Sequence, residues 1–338
     1  MSKEFTDPFG RFVFGKPPAS YGDYAFIQHI AASTNDTGRA GVVCPQGILF
    51  RGQPEIEEET GEFNAAGQPI IRRRKPDDEY LIRKGLLDAR LIDAVIALPL
   101  NIFYGAGVPA CLLILNRQRP KGRRDKLLLI YAARHYRELS NKNQLLPQDL
   151  MRVLVHYHAY GDASKAARLV KLHGNRLRAV IDRDEAEEVA RITAEHQQTA
   201  DKLAAVEADL ADADTKRAAQ LARTAEKFRK ELAERDERIA EARKLAAEER
   251  QAIEAVGQEL IALYANPAEL GKHARVVDLA EVAENEHNLN IPRYVDTFEP
   301  EEPIDVKQAL AELEEAERER QTAERALRQL LEGAGYGA

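Results

Sequence analysis

LIDAVIALPLNIFYGAGVPACLLILNRQRPKGRRDKLLLIY, residues 91–131, is the stretch that decides the fold. It holds three short apolar runs, 91–98, 109–116 and 126–131, separated by segments rich in proline, glycine and arginine. Runs of this length without polar alternation read as strands buried on both faces, the pattern of a sheet covered by helices. Upstream, residues 41–50 (GVVCPQGILF) begin as another buried strand and pass into a turn at Pro45. Two helical patterns lie between these strands. Asp23–Ser33 puts Phe26, Ile27 and Ile30 on one face, and residues 78–89 are capped by Asp77 or Asp78. Residues 1–150 therefore read as an α/β domain.

Between the first strand and its following helix, residues 53–76 are polar and carry the turn signals Thr60-Gly61 and Ala66-Gly67, which predict an inserted surface hairpin. Its four consecutive cations, Arg72, Arg73, Arg74 and Lys75, suit a DNA backbone. They equally suit a strand edge guarded by charge.

Outside this domain the composition shifts. The 338 residues carry a net charge of −7, but residues 1–180 sum to +9 and residues 181–338 to −16. A basic half joined to an acidic half points weakly toward nucleic-acid contact on the basic side. No apolar run approaches the roughly 20 residues of a membrane span, so a cytoplasmic protein without membrane contact is expected. Cys44 and Cys111 sit within apolar stretches and read as buried free thiols; no metal site is suggested.

Residues 151–180 read as a helical connector, and residues 181–265 as one long helix with no proline or glycine before Gly257. Leu221, Phe228, Leu232, Ile239, Ile253, Val256 and Leu260 lie on a seam with alternating steps of four and three, the period of a coiled coil. A further charged helix with Val306, Leu310, Leu313, Leu327 and Leu330 ends the chain, in a segment spanning 266–338. Two uses of these helices stay open: folding back as an antiparallel hairpin, or docking on another subunit.

No nucleotide-binding glycine loop, nucleophile elbow or metalloprotease motif is present. His156 and His158 are spaced wrongly for one helical face and read as packed or surface residues.

The order of blocks carries a resemblance. DPFGRF (7–12), GKPP (15–18), DYAFIQHI (23–30), GVVCPQGILFRG (41–52), IRK (82–84), LIDAVIALPLNIFY (91–104), VPACLLILN (108–116) and NLNIPRYVDT (288–297) together resemble the modification subunit of type I restriction-modification systems. The resemblance implies an adenine-specific DNA methyltransferase that uses S-adenosylmethionine. It implies a specificity subunit as partner, through it the restriction subunit, and double-stranded DNA in the assembled complex. In that family the Gly-rich cofactor strand and the Asn/Asp-Pro-Pro-Phe/Tyr motif come before the block matching 7–12, and neither occurs in this sequence. The expectation is thus a partial Rossmann-like methyltransferase sheet followed by a long α-helical coiled-coil region, inactive alone: either a truncated gene product or one piece of a split enzyme whose N-terminal methyltransferase piece supplies the cofactor site. Pro45, Asn101, Phe103 and Tyr104 are then expected to wall the far side of the target-base pocket. The competing expectation is a non-catalytic assembly or scaffold protein that binds partner helices.

Overall fold

The computed structural model describes residues 7–63, 69–105, 107–211, 215–297 and 306–333. It forms two compact units, 1–297 and 298–338.

In the first unit, helix α1 (Asp23–Ser33) leads into strand β1 (Arg39–Pro45), a 3-10 turn (Gln46–Leu49) and the hairpin β2 (Ile56–Phe63) and β3 (Pro69–Arg74). Helix α2 (Asp78–Asp88) is followed by β4 (Ile92–Ala97), β5 (Ala110–Asn116) and β6 (Lys126–Tyr131). The four strands read from the apolar runs and the inserted hairpin are all present. The face expected of α1 is rotated: the helix buries Tyr24, Ile27, Gln28 and Ala31, and Phe26 is 69% exposed. Gln28 takes a core position because its side-chain amide accepts from the Phe14 N–H (3.1 Å) and donates to the Gly15 carbonyl (2.9 Å), so both its oxygen and its nitrogen are partnered.

The sheet order is β1-β5-β4-β6, closed by β9 (Ala274–Asp278) at the far edge. β4 and β6 are parallel, while β5 runs against both β1 and β4, and β9 runs against β6. The sheet is mixed because the links on either side of β5 contain no α-helix, and a parallel neighbour requires a crossover of a dozen or more residues, usually helical. Alternate side chains enter two cores. Val95, Ala97, Cys111, Leu113, Leu127 and Leu129 pack under α1 and α2. Ala94, Ile96, Leu128 and Ile130 face the other way, toward Val153, Tyr157 and Tyr160. The strand β9 was not visible in sequence: two valines flanked by charges give too short a signal. Residues 279–295, comprising α8 (Leu279–Glu284) and a 3-10 turn (Ile291–Arg293), then fold under the sheet, with Leu289, Ile291, Tyr294 and Val295 in the first core. The Leu289 N–H donates to the Leu49 carbonyl at 2.8 Å.

Two short strands, β7 (Arg137–Glu138) and β8 (Asn143–Gln144), lead to α3 (Pro147–Ala159). Beyond it the expected single helix is replaced by two arms. α4 (Ala166–Ala211) runs outward, and α5 (Thr215–Ala233) with α6 (Arg235–Tyr264) returns, before a single turn, α7 (Pro267–Leu270). Ion pairs Asp182–Arg250 (2.8 Å), Glu195–Arg238 (3.1 Å) and Glu207–Arg229 (2.6 Å) descend one arm as they climb the other, which is the signature of antiparallel pairing. Ile253, Val256 and Leu260 from the seam are buried against Met151, Val155, Leu169 and Leu177 of α3 and α4. Of the two uses left open for the seam, these three residues pack inside the chain and are not partner-facing, while Leu221, Phe228, Leu232 and Ile239 are half-buried. Gly257 permits the close approach: a Cβ there would stand 3.0 Å from Val170 Cγ1. No described helix is long and apolar enough to cross a membrane.

The second unit contains α9 (Val306–Gly333), on which Leu310, Leu313 and Leu327 are exposed.

Candidate functional site

Ligands of open α/β sheets bind outside the carboxyl ends of the parallel strands. Here β1, β4 and β6 end together, and between their ends and the 290–292 turn lies a cavity of about 230 Å³. Gln46 and Leu49 come from the turn after β1, Leu98 and Leu100 from the loop after β4, and Tyr131 and Ala133 from the end of β6. Pro109, Asn290, Ile291 and Pro292 close it. The walls are apolar, with three neutral polar groups: two amides and one phenol.

The expected pocket residues come from the same two connections, after β1 and after β4. Pro45 is half-buried at the end of β1, opposite Ala110. Asn101, Phe103 and Tyr104 are exposed in the β4–β5 loop, Phe103 by 44% and Tyr104 by 73%. Asn101 holds a left-handed backbone (φ 52°) fixed from the side by Asn143, whose N–H donates to the Asn101 carbonyl and whose Nδ2 donates to the Leu100 carbonyl, both at 2.8 Å. The Lys142 ammonium sits 4.6 Å from the Tyr104 ring centroid. None of the four lines the cavity. Their neighbours Gln46, Leu98 and Leu100 do, because the turn and the loop each bring the adjacent residue inward. The contribution of Asn290, Ile291 and Pro292 was missed as a site feature. Its signal was the block NLNIPRYVDT, which sequence order placed far from the strands.

The other expected contact surface is the hairpin. Arg72, Arg73, Arg74 and Lys75 are all exposed. Arg73 pairs with Glu57 across the ladder (2.7 Å) and Arg74 with Asp77 (3.4 Å), so half of the run is already matched by carboxylates.

Behind β6, His135, His156 and His273 gather near Arg152, Asp149 and Glu259. His135 and His273 stack with centroids 6.1 Å apart, and His156 Nδ1 lies 3.1 Å from the Tyr264 hydroxyl. Burial pushes the His156 imidazole down to about 3 and also lowers His135 and His273. Among the described residues no group of three His, Cys, Asp or Glu side chains is disposed to hold a metal ion.

Comparison with known proteins fixes the lineage. The family model described as N-6 DNA Methylase matches residues 2–59, 74–202 and 212–303. The chain belongs to the N-6 DNA methylase family. The break in the match at 60–73 falls on the β2–β3 hairpin. The type I restriction enzyme MjaVIII methylase subunit of Methanocaldococcus jannaschii is 29% identical over 164 residues, covering 48% of this chain and 24% of that protein. The MpnII methylase subunit of Mycoplasma pneumoniae is 27% identical over 154 residues, covering 46% and 24%. Among solved structures, the type I methyltransferase subunit from Streptococcus thermophilus aligns over 86% of this chain and 33% of its own, with 21% identity and a TM-score of 0.42. This N-6 DNA methylase chain thus spans about a quarter of the length of the curated relatives it matches.

The family's methyl donor, S-adenosylmethionine, carries an ammonium group and ribose hydroxyls that call for a carboxylate. The cavity lining offers none, and no Gly-rich strand-to-helix turn opens on it. These residues do not fit the cofactor. Their neutral amides and apolar walls fit one side of a planar, uncharged ligand.

Proposed function

We propose that the first unit is the second half of an adenine-specific, S-adenosylmethionine-dependent DNA methyltransferase domain of a type I restriction-modification system. The cofactor-holding half comes from a preceding segment or a separate chain. What carries this reading is a site with one wall: a base-sized apolar rim, without a cofactor kit, beside an open sheet edge. β1 pairs only with β5 among the described residues, and its Val43 is 54% exposed. An open edge with apolar neighbours favours pairing with a further strand. In this reading Tyr104 and Phe103 stack on a base extruded from the duplex, and Pro45 and Asn101 border it.

The complex proposed for this unit includes a specificity subunit that reads the DNA target and, through it, the restriction subunit, in the cytoplasm. The exposed leucines of α9 are the helical surface assigned to that assembly. Arg72 and Lys75 are assigned to DNA backbone contact.

The test is reconstitution. The chain is mixed with a piece carrying the Gly-rich strand and Asn-Pro-Pro-Phe/Tyr, and methyl transfer from labelled S-adenosylmethionine to duplex DNA is measured. Activity is expected only in the mixture. Tyr104→Ala should lower it roughly 5- to 150-fold, the range for losing one base-stacking contact of about 1–3 kcal/mol. A permanently inactive mixture overturns the reading. A second reading, a scaffold without chemistry, is favoured by the same lack of carboxylates on the rim. It predicts specificity-subunit binding that is indifferent to S-adenosylmethionine.

A further inference from the structure

The edge of the sheet opposite the cavity concentrates positive charge that the site above does not use. β5 ends at Asn116, so residues 117–125 lie at the amino ends of β1, β4 and β6, about 20 Å from the rim for strands of six or seven residues. Arg117, Lys121 and Arg124 are exposed on this loop, and Arg39 opens β1 beside it, opposite Asn116. The patch continues onto the helices. Arg123 Nη2 donates to the His158 carbonyl at 3.2 Å, its guanidinium lies 4.2 Å from the Tyr160 ring centroid, and His158 stacks on His173 of α4 at 4.8 Å. Arg168, Lys171 and Arg176 are exposed on the first turns of that helix.

None of these cations pairs with a carboxylate among the described residues; Arg117 and Arg123 bond only carbonyls. The acids on this edge include Asp36, Asp88, Asp125, Asp162 and Asp278, of which Asp88 pairs with Lys84 and Asp278 lies 3.9 Å from Lys126. Asp125 is engaged by Arg90 and Asp162 by Lys165. The loop is held in place from within. Arg119, buried, pairs with Asp93 at 3.2 Å and donates to the carbonyls of Ile92 (3.0 Å), Arg123 (2.6 Å) and Lys126. Tyr157 and Asn116 complete the shell around Asp93 at 3.1 and 3.0 Å. A buried ion pair is thus arranged to fix the shape of a loop on which Lys121 and Arg124 stay exposed, with no described carboxylate as partner.

We infer that this edge binds the phosphate backbone of duplex nucleic acid without reading its sequence. Guanidinium groups match phosphate oxygens in fork geometry, and six of the eight exposed or half-exposed cations are arginines. Holding them on a rigid loop reduces the ordering cost of binding. The loop tip, Pro120 to Arg124, has no large apolar side chain to insert into a bilayer, which disfavours a membrane as partner. The surface is separate from the cavity and does not depend on the methyltransferase reading, because it requires no cofactor and no second methyltransferase piece.

The experiment titrates a labelled 20-base-pair duplex with the full chain alone at several salt concentrations, without methyl donor. The variant Arg39→Gln/Lys121→Gln/Arg124→Gln is expected to bind about tenfold or more weakly, with a salt slope lower by about 2 to 3, since each phosphate contact contributes roughly 0.9 to that slope. Arg168→Gln/Arg176→Gln on α4 gives a second, independent loss. An unchanged slope in both variants overturns the inference. So does binding of the wild-type chain to phosphatidylserine vesicles with no binding to the duplex. Because no methyl transfer is read, an inactive reconstituted enzyme leaves this result standing.

Discussion

Asp93 and Arg119 show how a single buried pair governs a surface. Both side chains are almost wholly withdrawn from solvent, and breaking such a pair leaves one charge uncompensated. Arg119→Ala is expected to cost about 3–5 kcal/mol of stability, measured by urea denaturation, with the Asp93→Asn/Arg119→Met pair costing less than either change predicts. Cys44 and Cys111, which the sequence placed in apolar runs, are directly opposite one another in the β1–β5 ladder and buried. Burial pushes their thiols up to about 11 and about 12, so they stay protonated and should not react with a thiol reagent until the chain unfolds. None of Pro45, Asn101, Phe103 and Tyr104 lines the cavity, whereas Gln46 and Leu100, next in sequence to the first two, do. A one-residue offset reverses which side chain faces inward, and apolar runs do not record that phase where strands become loops.

Element by element, the seam of α5 and α6 is the clearest success of periodicity and also its limit. The spacing of Leu221, Phe228, Leu232, Ile239, Ile253, Val256 and Leu260 identified the sheltered face, since none of these residues is exposed. Period alone cannot say whether the facing helix belongs to the same chain. Leu260, fully buried under α3 and α4, should cost about 2–5 kcal/mol when changed to alanine. Leu327 on α9, 57% exposed, should change stability by less than about 0.5 kcal/mol when truncated. Thermal or urea melts of the two variants separate the internal face from the outward one. A loss of specificity-subunit affinity in Leu327→Ala, with stability kept, would match the assembly role assigned to α9.

For the molecule as a whole, the histidine cluster ties the sheet unit's end, α3 and α6 to one pH response. His135, His156 and His273 are held neutral in the folded chain by burial. Unfolding frees them to take up protons below about 6.5, so the unfolded state binds more protons there and stability falls as pH drops. For His156 the window runs from about 6.5 down to about 3, and each fully linked histidine contributes about 1.4 kcal/mol per pH unit within it. Denaturation midpoints should therefore decline from pH 7 toward pH 4, and His156→Phe should flatten the decline. A midpoint that holds constant across this range would show that the cluster is already solvated. By itself the sequence determined four of the five strands of the main sheet, the inserted hairpin and the sheltered helical face, because burial writes its period directly into residue order. The tertiary structure alone decided that β5 runs antiparallel, that residues 274–295 return to complete the sheet and close the cavity, and that the long helix pairs with itself. These depend on contacts between segments from about 14 residues apart, as between β4 and β5, to more than 200 apart, as between Leu49 and Leu289, and chain order carries no record of which surfaces will meet.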